Sequence, residues 1–284
     1  KNTLNKSMLG VFGAGSGGKY AYRANASGSG VVASLGGKGL TVMVVFKPNG
    51  ATTGYSTVWD FRRASGTAGR NGAYLQINNG AADGGESTKC VFRIVAAGGN
   101  TDFIEFDTGS GADGWWNDTD TKIVVCQYQK GDVSAGMPNR ASVWVNGVLM
   151  TPTSSSLSNI LTADTFSDSS TAGDNLTVAG YYAGHYGAGG NYSYFTIIKR
   201  WITDAERYAL MQCACETTPE GIPISINGGF DYDVSFGVAS SPGSVDGDSF
   251  GAMTSREGYF LIGAAAPNGP SFRFDQNGRC GVSF

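Results

Sequence analysis

Residues 192–211, YSYFTIIKRWITDAERYALM, join an extended segment directly to a capped helix. Along the extended part, Tyr192 and Ile198 fall on one face, with the period of two that is expected of a strand. Phe195 and Ile197 fall on the opposite face, so both faces are largely apolar. We therefore predict a central strand that is covered on both sides.

The start of the helix has its own sequence signal, Thr-Asp-Ala-Glu at residues 203–206. In this pattern the hydroxyl of Thr203 accepts a hydrogen bond from the N–H of Glu206, and the carboxylate of Glu206 accepts one from the N–H of Thr203. Asp204 and Glu206 also place negative charge at the positive end of the helix dipole. The pattern predicts a short helix that is capped by Thr203.

The composition is typical of many short strands that are joined by tight turns. Of the 284 residues, 41% are hydrophobic, enough for a core, whereas only 15% are charged and 44 are glycine. The net charge is −3 and no run of Lys or Arg occurs, which argues against nucleic acid or an anionic membrane as a partner. No stretch approaches the roughly 20 apolar residues that a membrane span needs.

Short segments with strand character recur along the chain, each followed by turn residues. They lie at 40–47, 56–61, 73–78, 89–96, 102–106, 122–129, 142–145, 176–179 and 192–198. Asn146-Gly147 separates two such segments and predicts a type I′ hairpin, because both residues accept a positive φ. With a single short helix, this pattern predicts an all-β fold in which two antiparallel sheets pack as a jelly-roll sandwich.

The two ends of the chain differ from this central region. Residues 1–39 are rich in Gly and Ser, and we expect them to form an N-terminal arm or an edge strand. Residues 40–216 form the predicted sandwich, and residues 217–220 read as a linker. The segment 217–284 is a small C-terminal β unit near the lower size limit for its own core, so we expect it to dock on the sandwich or on a neighbouring chain. Its strand candidates are 222–226, 232–238, 259–263, 271–274 and 280–284.

Three places carry a family resemblance. Residues 40–50, LTVMVVFKPNG, read as an opening core strand, and residues 141–150, ASVWVNGVLM, as a strand-Asn-Gly-strand hairpin. Residues 195–211 read as a closing strand that is followed by a short helix. Together they resemble the concanavalin A-like lectin/glucanase superfamily, in particular its laminin-G and pentraxin-like branch. The resemblance implies a fold far more than an activity.

Because glycoside hydrolases occur in that superfamily, paired carboxylates are the first catalytic candidates. A retaining mechanism needs two carboxylates about 5 to 5.5 Å apart, which alternate residues on one strand supply. Glu105 and Asp107 match the first two acids of the Glu-x-Asp-x-(x)-Glu signature of laminarinase-like enzymes, but the third acid is absent. The single histidine, His185, stands without a nucleophile-elbow motif. We therefore predict a protein that is not an enzyme.

Aromatic rings in two glycine-containing segments are the candidate ligand-binding groups. Such rings stack on the apolar face of a sugar, while neighbouring amide and hydroxyl groups bond its hydroxyls. The alternative is that the tyrosines pack their loop against its own sheet or a neighbouring subunit. The predicted binding residues are Tyr181, Tyr182, His185, Tyr186, Asn191, Trp115 and Trp116.

Calcium is the one candidate cofactor. Some members of the family have a cation site, and the resemblance therefore suggests calcium. Side-chain oxygens of residues 113–120 could supply part of the six to eight ligands that Ca²⁺ takes. The spacing does not match an EF-hand loop, and Asp and Asn at this density also make turns. The predicted ligands are Asp113, Asn117, Asp118 and Asp120.

The five cysteines form no zinc spacing, and an odd number leaves at least one unpaired within the chain. We expect mostly buried free thiols. Cys90 and Cys126 lie in predicted strands and could pair only if the register of those strands allowed it.

These observations favour a non-catalytic, lectin-like protein at an extracellular or virion surface. The specific hypothesis is a phage virion component, an appendage or decoration protein that forms a homo-oligomer, contacts other virion or surface proteins and binds glycans. It rests on the low charge, the richness in Gly, Ser and Asn, and the apolar C-terminal segment. The alternatives are a secreted carbohydrate-binding module and a polysaccharide hydrolase or lyase.

Overall fold

The computed structural model describes residues 21–24, 39–48, 54–62, 72–79, 89–96, 98–109, 121–164, 175–180, 188–215, 229–233, 238–239, 252–254, 260–263, 271–274 and 280–283. Within these ranges the chain forms eighteen strands and one α-helix. The predicted all-β sandwich is therefore confirmed. In that same part of the chain, no helix is long and apolar enough to cross a membrane.

The strands are numbered in chain order, and the helix α1 (Asp204–Cys215) follows β12. The strands are β1 (Ala21–Ala24), β2 (Gly39–Pro48), β3 (Gly54–Asp60), β4 (Gly72–Asn79), β5 (Lys89–Val95), β6 (Thr101–Asp107), β7 (Lys122–Gln129), β8 (Arg140–Val145), β9 (Val148–Leu149), β10 (Pro152–Ser156), β11 (Asn175–Val178), β12 (Gly190–Ile198), β13 (Gly229–Asp233), β14 (Val238–Ala239), β15 (Ala252–Thr254), β16 (Phe260–Gly263), β17 (Ser271–Phe274) and β18 (Cys280–Ser283). All the strands predicted between residues 40 and 198 are present, with ends that differ by at most two residues.

Two antiparallel sheets contain these strands. Sheet A has ten described strands in the order β10-β6-β5-β4-β3-β11-β1-β16-β15-β14. Sheet B has eight, in the order β17-β18-β12-β2-β7-β8-β9, with β13 paired to β12 beside this path. The consecutive hairpins β3 to β6 and β7 to β9 keep sequence neighbours adjacent, whereas β2 and β12 bring distant parts of the chain together.

The main core lies between the two sheets and is built from the inward residues of each strand. Trp59 is fully buried there, stacked on Phe61 with 5.2 Å between ring centroids and tilted against Phe92 at 6.0 Å. From sheet B, Phe46 of β2 stacks on Tyr192 of β12 at 5.3 Å. Aromatic pairs at such separations add to the free energy that burial of their area supplies.

The prediction that residues 192–198 form a central strand is confirmed, since β12 lies between β2 on one side and β13 and β18 on the other. One detail is wrong. The register against β2 shifts between Tyr192 and Tyr194, and this bulge turns Tyr192 into the main core on the side of Phe195 and Ile197. Ile198 faces the opposite way, so Tyr192 and Ile198 do not share a face.

The hairpin at residues 146–147 is confirmed. Asn146 has a φ of 50° and Gly147 one of 87°, and Val145 pairs with Val148 across the turn. The side chain of Asn146 adds a second role, because its Oδ1 accepts a hydrogen bond of 2.7 Å from the N–H of Ile123 at the start of β7. Asparagine thus fits the turn and ties it to the neighbouring strand.

Strand β10 was not predicted from the sequence. Its residues, Pro-Thr-Ser-Ser-Ser, carry no apolar alternation and are exposed except for Ser156, which is half-buried. The strand pairs with β6 at the edge of sheet A, where a proline and polar side chains are tolerated. Pairing with a neighbour, rather than burial of a face, makes this segment a strand.

The strands near the two ends of the chain join both sheets. β1 pairs with β11 on one side and β16 on the other, so these four residues are internal to sheet A rather than an edge strand. From the C-terminal segment, β14, β15 and β16 extend sheet A. β13, β17 and β18 belong to sheet B. The candidate strand at 222–226 lies outside the described residues.

Candidate functional site

The side chains that were predicted to bind a ligand lie outside the described residues, and their roles stay predictions. This applies to Tyr181, Tyr182, His185, Tyr186, Trp115 and Trp116, and equally to the calcium ligands Asp113, Asn117, Asp118 and Asp120. Of Asn191 only the backbone is described, which pairs with Lys47 of β2 and Ser283 of β18. Among the residues that are described, no group of three or more His, Cys, Asp or Glu could hold a metal ion.

The segments that flank the loop 181–187 are described, and both end beside strand β3. The N–H of Ala179 donates to the carbonyl of Val58 at 2.8 Å, and the N–H of Ala188 donates to the carbonyl of Thr57 at 2.9 Å. The register of β3 against β4 shifts at this point, between Thr57 and Trp59. The loop therefore leaves and returns at the bulge of β3.

Strand β3 contributes side chains to the outer face of sheet A. We define this face as the side chains of β3 to β6 that point away from the main core. Helix α1 packs on sheet B, and in the described part of the chain no helix packs on this side of sheet A. The described side chains of this face are Thr57, Asp60, Tyr74, Gln76, Lys89, Val91, Arg93, Val95, Thr101, Phe103, Glu105 and Asp107.

Strand register brings three of these side chains side by side. Tyr74 of β4 is directly opposite Arg93 of β5, and Arg93 is directly opposite Phe103 of β6. Directly opposed residues on one face have Cβ atoms about 4.5 to 5.5 Å apart, so their side chains interact. The central carbon of the Arg93 guanidinium lies 5.8 Å from the centre of the Tyr74 ring and 5.4 Å from that of Phe103.

The ring of Tyr74 is held in place by a second arginine. Arg62 lies with its guanidinium carbon 3.4 Å from the centre of that ring, and Tyr74 is only 4% exposed. Arg62 is fixed in turn by the fully buried carboxylate of Asp60, to which Nη2 donates at 2.7 Å and Nε at 3.1 Å to each oxygen. A hydrogen-bonded pair of this kind has satisfied charges, so its role is to hold Tyr74 in position.

Glycine at position 72 lets β4 approach this pair. Gly72 has a φ of +138°, and a Cβ there would lie 2.6 Å from the carbonyl oxygen of Phe61 and 2.9 Å from the Cα of Arg62. Any other residue would push the start of β4 away from the backbone that carries Arg62. The position of Tyr74 thus depends on a glycine two residues before it.

Arg93 differs from Arg62 in having no such carboxylate. Its side chain is half-buried, and its Nε is buried without a hydrogen-bond partner. Within the described residues no ion pair to Arg93 is found, and its contacts are the two rings on either side. The group is therefore an arginine that is oriented by aromatic rings and left with free donors.

The carboxylate of Glu105, the catalytic candidate, already has a partner. Its Oε1 lies 2.9 Å from Nζ of Lys89, and both side chains are largely covered. The second candidate, Asp107, is exposed and accepts a hydrogen bond of 2.9 Å from the N–H of Gly109 in the turn after β6. In the described residues Glu105 thus pairs with an ammonium group rather than with a second carboxylate.

Neutral polar groups complete the face. The side-chain amide of Gln76 donates to the hydroxyl of Thr57 at 3.3 Å, which leaves its carbonyl oxygen and second N–H for other partners. Gln76 is half-buried, as is its neighbour Val91. Rings, an amide, a carboxylate and a guanidinium on one rigid face are the mixture with which proteins bind amphipathic small molecules.

The two described cysteines do not contribute to the outer face of sheet A. Cys90 of β5 and Cys126 of β7 are fully buried in the main core as free thiols. Burial raises the pKa of both thiols well above the usual value. They are consequently inert packing groups, as expected.

No protein-family model matches this chain, and no curated protein matches it in sequence. Solved structures with some similarity include the IT-sialidase CBM40 of Ruminococcus gnavus bound to α2,6-sialyllactose, with 12% identity and a TM-score of 0.40 over 68% of this chain and 97% of that one. Another is the leech intramolecular trans-sialidase complexed with 2,7-anhydro-Neu5Ac, with 14% identity and a TM-score of 0.38 over 72% and 28% of the two chains.

A third is the receptor-binding domain of the botulinum neurotoxin C/D mosaic serotype, with 10% identity and a TM-score of 0.38 over 74% of this chain and 47% of that one. This chain thus spans less than half of the leech and toxin chains. Similarities of this extent do not transfer a residue, a ligand or an activity, and the concanavalin A-like resemblance stays a prediction at the level of the family.

Proposed function

We propose that this protein binds glycans, without chemistry, through the outer face of sheet A. The observation that carries the proposal is the row of Tyr74, Arg93 and Phe103, in which the half-buried Arg93 and Phe103 stand beside the buried ring of Tyr74 on a sheet face that no described helix covers. A sugar has an apolar C–H face and a rim of hydroxyls. Phe103, which is half-buried, offers a ring for the first, and the amide of Gln76 offers a donor and an acceptor for the second.

The rigidity of the outer face of sheet A also supports glycan binding, in addition to the chemical groups that it carries. These side chains stand on central strands whose register is fixed by hydrogen bonds, and the ring of Tyr74 is clamped by Arg62. Little conformational freedom is therefore lost when a ligand binds, which favours affinity from a small contact area.

We also propose that ring-bearing residues of the segment 181–187, which lies outside the described residues, contribute to glycan binding. The loop is anchored on both sides at the bulge of β3, and Thr57 at that bulge is hydrogen-bonded to Gln76 of the outer face. Its tyrosines and histidine are, with Trp115 and Trp116, the ring-bearing residues that the sequence singles out. Binding residues are often carried by loops that a rigid scaffold holds at both ends.

The test is a screen of immobilised glycans, followed by calorimetry on the strongest hit with wild type and Phe103→Ala. We expect Phe103→Ala to weaken binding at least about tenfold, because its ring supplies the stacking surface. Tyr208→Ala is the matched control, since Tyr208 is 67% exposed on helix α1, on the other sheet, and its removal should leave binding unchanged. Folding of each variant is checked by near-ultraviolet circular dichroism.

Two results would contradict the proposal. One is a folded wild-type protein that binds no glycan, and the other is a Phe103→Ala variant that binds as tightly as wild type. Release of reducing ends from a bound polysaccharide would instead support the hydrolase or lyase alternative. If such activity survived Glu105→Gln and Asp107→Asn, those two residues would be excluded as its catalytic groups.

We further propose that this binding takes place at an extracellular surface, as in a secreted carbohydrate-binding module. The phage virion component that assembles as a homo-oligomer stays the second hypothesis for the setting. Light scattering on the intact chain during size-exclusion chromatography distinguishes a monomer from an oligomer. Co-sedimentation of the protein with phage particles is a result that only the virion hypothesis predicts. A truncation after residue 216 is a poor test of assembly, because it removes six strands that pair within the two sheets.

A further inference from the structure

We infer that the ligand of the outer face of sheet A is an acidic glycan whose carboxylate is bound by Arg93. The inference rests on the proposed function and concerns the same face. The described charged side chains on or beside this face are three cations, Arg62, Lys89 and Arg93, and three carboxylates, Asp60, Glu105 and Asp107.

Two of the three cations are neutralised within the protein. Arg62 is bonded to the carboxylate of Asp60, and Lys89 is paired with Glu105. Arg93 is the cation of this face for which the described residues provide no carboxylate. A partly buried guanidinium without a counter-ion is uncommon, because charged groups that leave water are normally paired. A ligand carboxylate would supply the missing counter-ion.

The geometry around Arg93 also suits the binding of a ligand carboxylate. The rings of Tyr74 and Phe103 flank the guanidinium at 5.8 Å and 5.4 Å, within the range of cation–π attraction. These contacts restrict the side chain without using any of its N–H donors. A guanidinium that is oriented in this way can present two parallel donors to the two oxygens of a carboxylate.

The buried Nε of Arg93 points to the same conclusion. A buried donor without an acceptor is unfavourable, and an acceptor that arrives with the ligand removes that penalty. Binding would therefore satisfy a donor that is unsatisfied in the free protein.

The face favours a singly charged group over a phosphate or a polyanion. Glu105 is paired with Lys89, but Asp107 on the same face is exposed and accepts a hydrogen bond from the backbone N–H of Gly109, so a strongly negative ligand would be repelled. The whole chain also carries a net charge of −3. A sugar carboxylate, as in a hexuronate or another sugar acid, has one charge next to hydroxyls and an apolar ring face.

The experiment compares acidic oligosaccharides with neutral copies of themselves. Oligomers that contain galacturonate, glucuronate, mannuronate or sialate are each paired with a form in which the carboxylate is reduced to the alcohol, and dissociation constants are measured by calorimetry. For wild type we expect at least about tenfold tighter binding of the acidic form in one or more pairs, the effect of a bidentate charged contact.

The variants are Arg93→Gln and Arg93→Lys. Arg93→Gln should abolish the preference for the acidic form, whereas Arg93→Lys should keep part of it, because it keeps the charge and loses the fork of donors. Arg140→Gln is the matched control. Arg140 is an exposed arginine on sheet B whose guanidinium carbon lies 4.6 Å from the ring centre of Trp201, and its removal should not change the preference.

The outcomes separate this inference from the function on which it rests. If wild type binds neutral oligosaccharides and shows no preference for any acidic form, the inference is overturned and glycan binding stands. If wild type binds neither form of any pair nor other glycans, both are overturned. A sulfated oligomer that binds as tightly as the carboxylated one would overturn the assignment to a carboxylate. Should Arg93→Gln fail to fold, the comparison of ligand pairs on wild type and Arg93→Lys still decides.

Discussion

The outer faces of the two sheets have the same strand geometry and opposite surroundings. On sheet B, Met43, Val45 and Val125 point outward and are completely buried beneath Leu210 of helix α1. On sheet A the outward residues include Val91 and other side chains that are half-buried and mostly polar or aromatic. One face is thus packed beneath a helix, whereas no helix in the described part of the chain covers the other, so the same strand geometry carries an apolar layer on one sheet and a polar and aromatic layer on the other.

Polar contacts fasten the helix to sheet B beyond its apolar underside. The side chain of Gln127 in β7 is fully buried and donates to the carbonyl of Ile202 at 2.9 Å, just before the helix begins. Arg207 of the helix lies with its guanidinium carbon 3.5 Å from the ring centre of Trp144 in β8. The helix is therefore held on sheet B by polar as well as apolar contacts, and substitutions on the two outer faces should differ in their effect on stability.

Leu210→Ala removes the main apolar contact of the helix with sheet B. Leu210 is fully buried, so we expect a loss of about 3 kcal/mol in the free energy of unfolding, from lost burial and the cavity that remains. Denaturant unfolding measures it. Tyr208→Ala on the exposed side of the same helix is the control and should cost less than about 0.5 kcal/mol. Equal costs for the two variants would show that the helix does not depend on this contact.

Gln127→Ala leaves the carbonyl of Ile202 without its donor at a buried position. A buried acceptor that loses its partner costs about 2 kcal/mol, and the same denaturant titration measures it. Gln129→Ala on the same strand is the comparison, since Gln129 is only half-buried and bonds an exposed arginine. A cost for Gln129→Ala as large as that for Gln127→Ala would contradict this account.

Val125→Thr and Val91→Thr place the same hydroxyl on the two outer faces. Under the helix, Val125 is fully buried and the new hydroxyl has no nearby water, so we expect a cost of about 1.5 kcal/mol. At Val91 the hydroxyl can reach water, and the cost should stay below about 0.5 kcal/mol. A double-variant chain should show additive costs, because the sites lie on opposite sheets. Similar costs at the two positions would remove the distinction between the faces.

Glu206→Gln weakens the start of the helix and has a specific pH dependence. The carboxylate of Glu206 accepts from the N–H of Thr203 at 2.8 Å and forms a two-pronged ion pair with Arg200. These contacts lower the pKa of Glu206 to about 2, with the bonds to Arg200 as the first cause. We expect a cost of about 1 kcal/mol at pH 7, a modest value because Arg200 is partly exposed and its charge is screened.

Because the folded-state pKa is below the unfolded one, the contribution of Glu206 is complete at neutral pH. It decreases as the pH falls below the ordinary carboxyl value, and is lost near the folded-state value of about 2. The difference in unfolding free energy between wild type and Glu206→Gln should therefore shrink between about pH 5 and pH 2. A difference that stays constant over this range would refute the ion pair as its source.

The sequence predicted those elements whose signals are local. The capping box at Thr203 and Glu206 is present, with hydrogen bonds of 2.8 and 3.3 Å in the two directions. The turn at Asn146 follows from the need for two positive φ values. Strand β10 was missed because it exists through its pairing with β6 and has no apolar face to signal it.

The candidate site was not predicted, for a related reason. Alternation in β5, KCVFRIV, indicates that Arg93 points away from the core, but not which residues of β4 and β6 stand beside it. That depends on register, which places Tyr74 and Phe103 on its two sides although they are far apart in sequence. The one local signal is Arg93 itself, a charged residue within a strand that is apolar apart from Lys89 at its start.

The pairing of β1 affects the order in which the chain can fold during its synthesis on the ribosome. Strand β1 is made well before its partners β11 and β16, which lie about 150 and 240 residues later in the sequence. Sheet A therefore cannot be completed until these later segments have been made. Contacts between such distant segments form slowly, and until they form, the edges of β11 and β16 are open to pairing with other nascent chains.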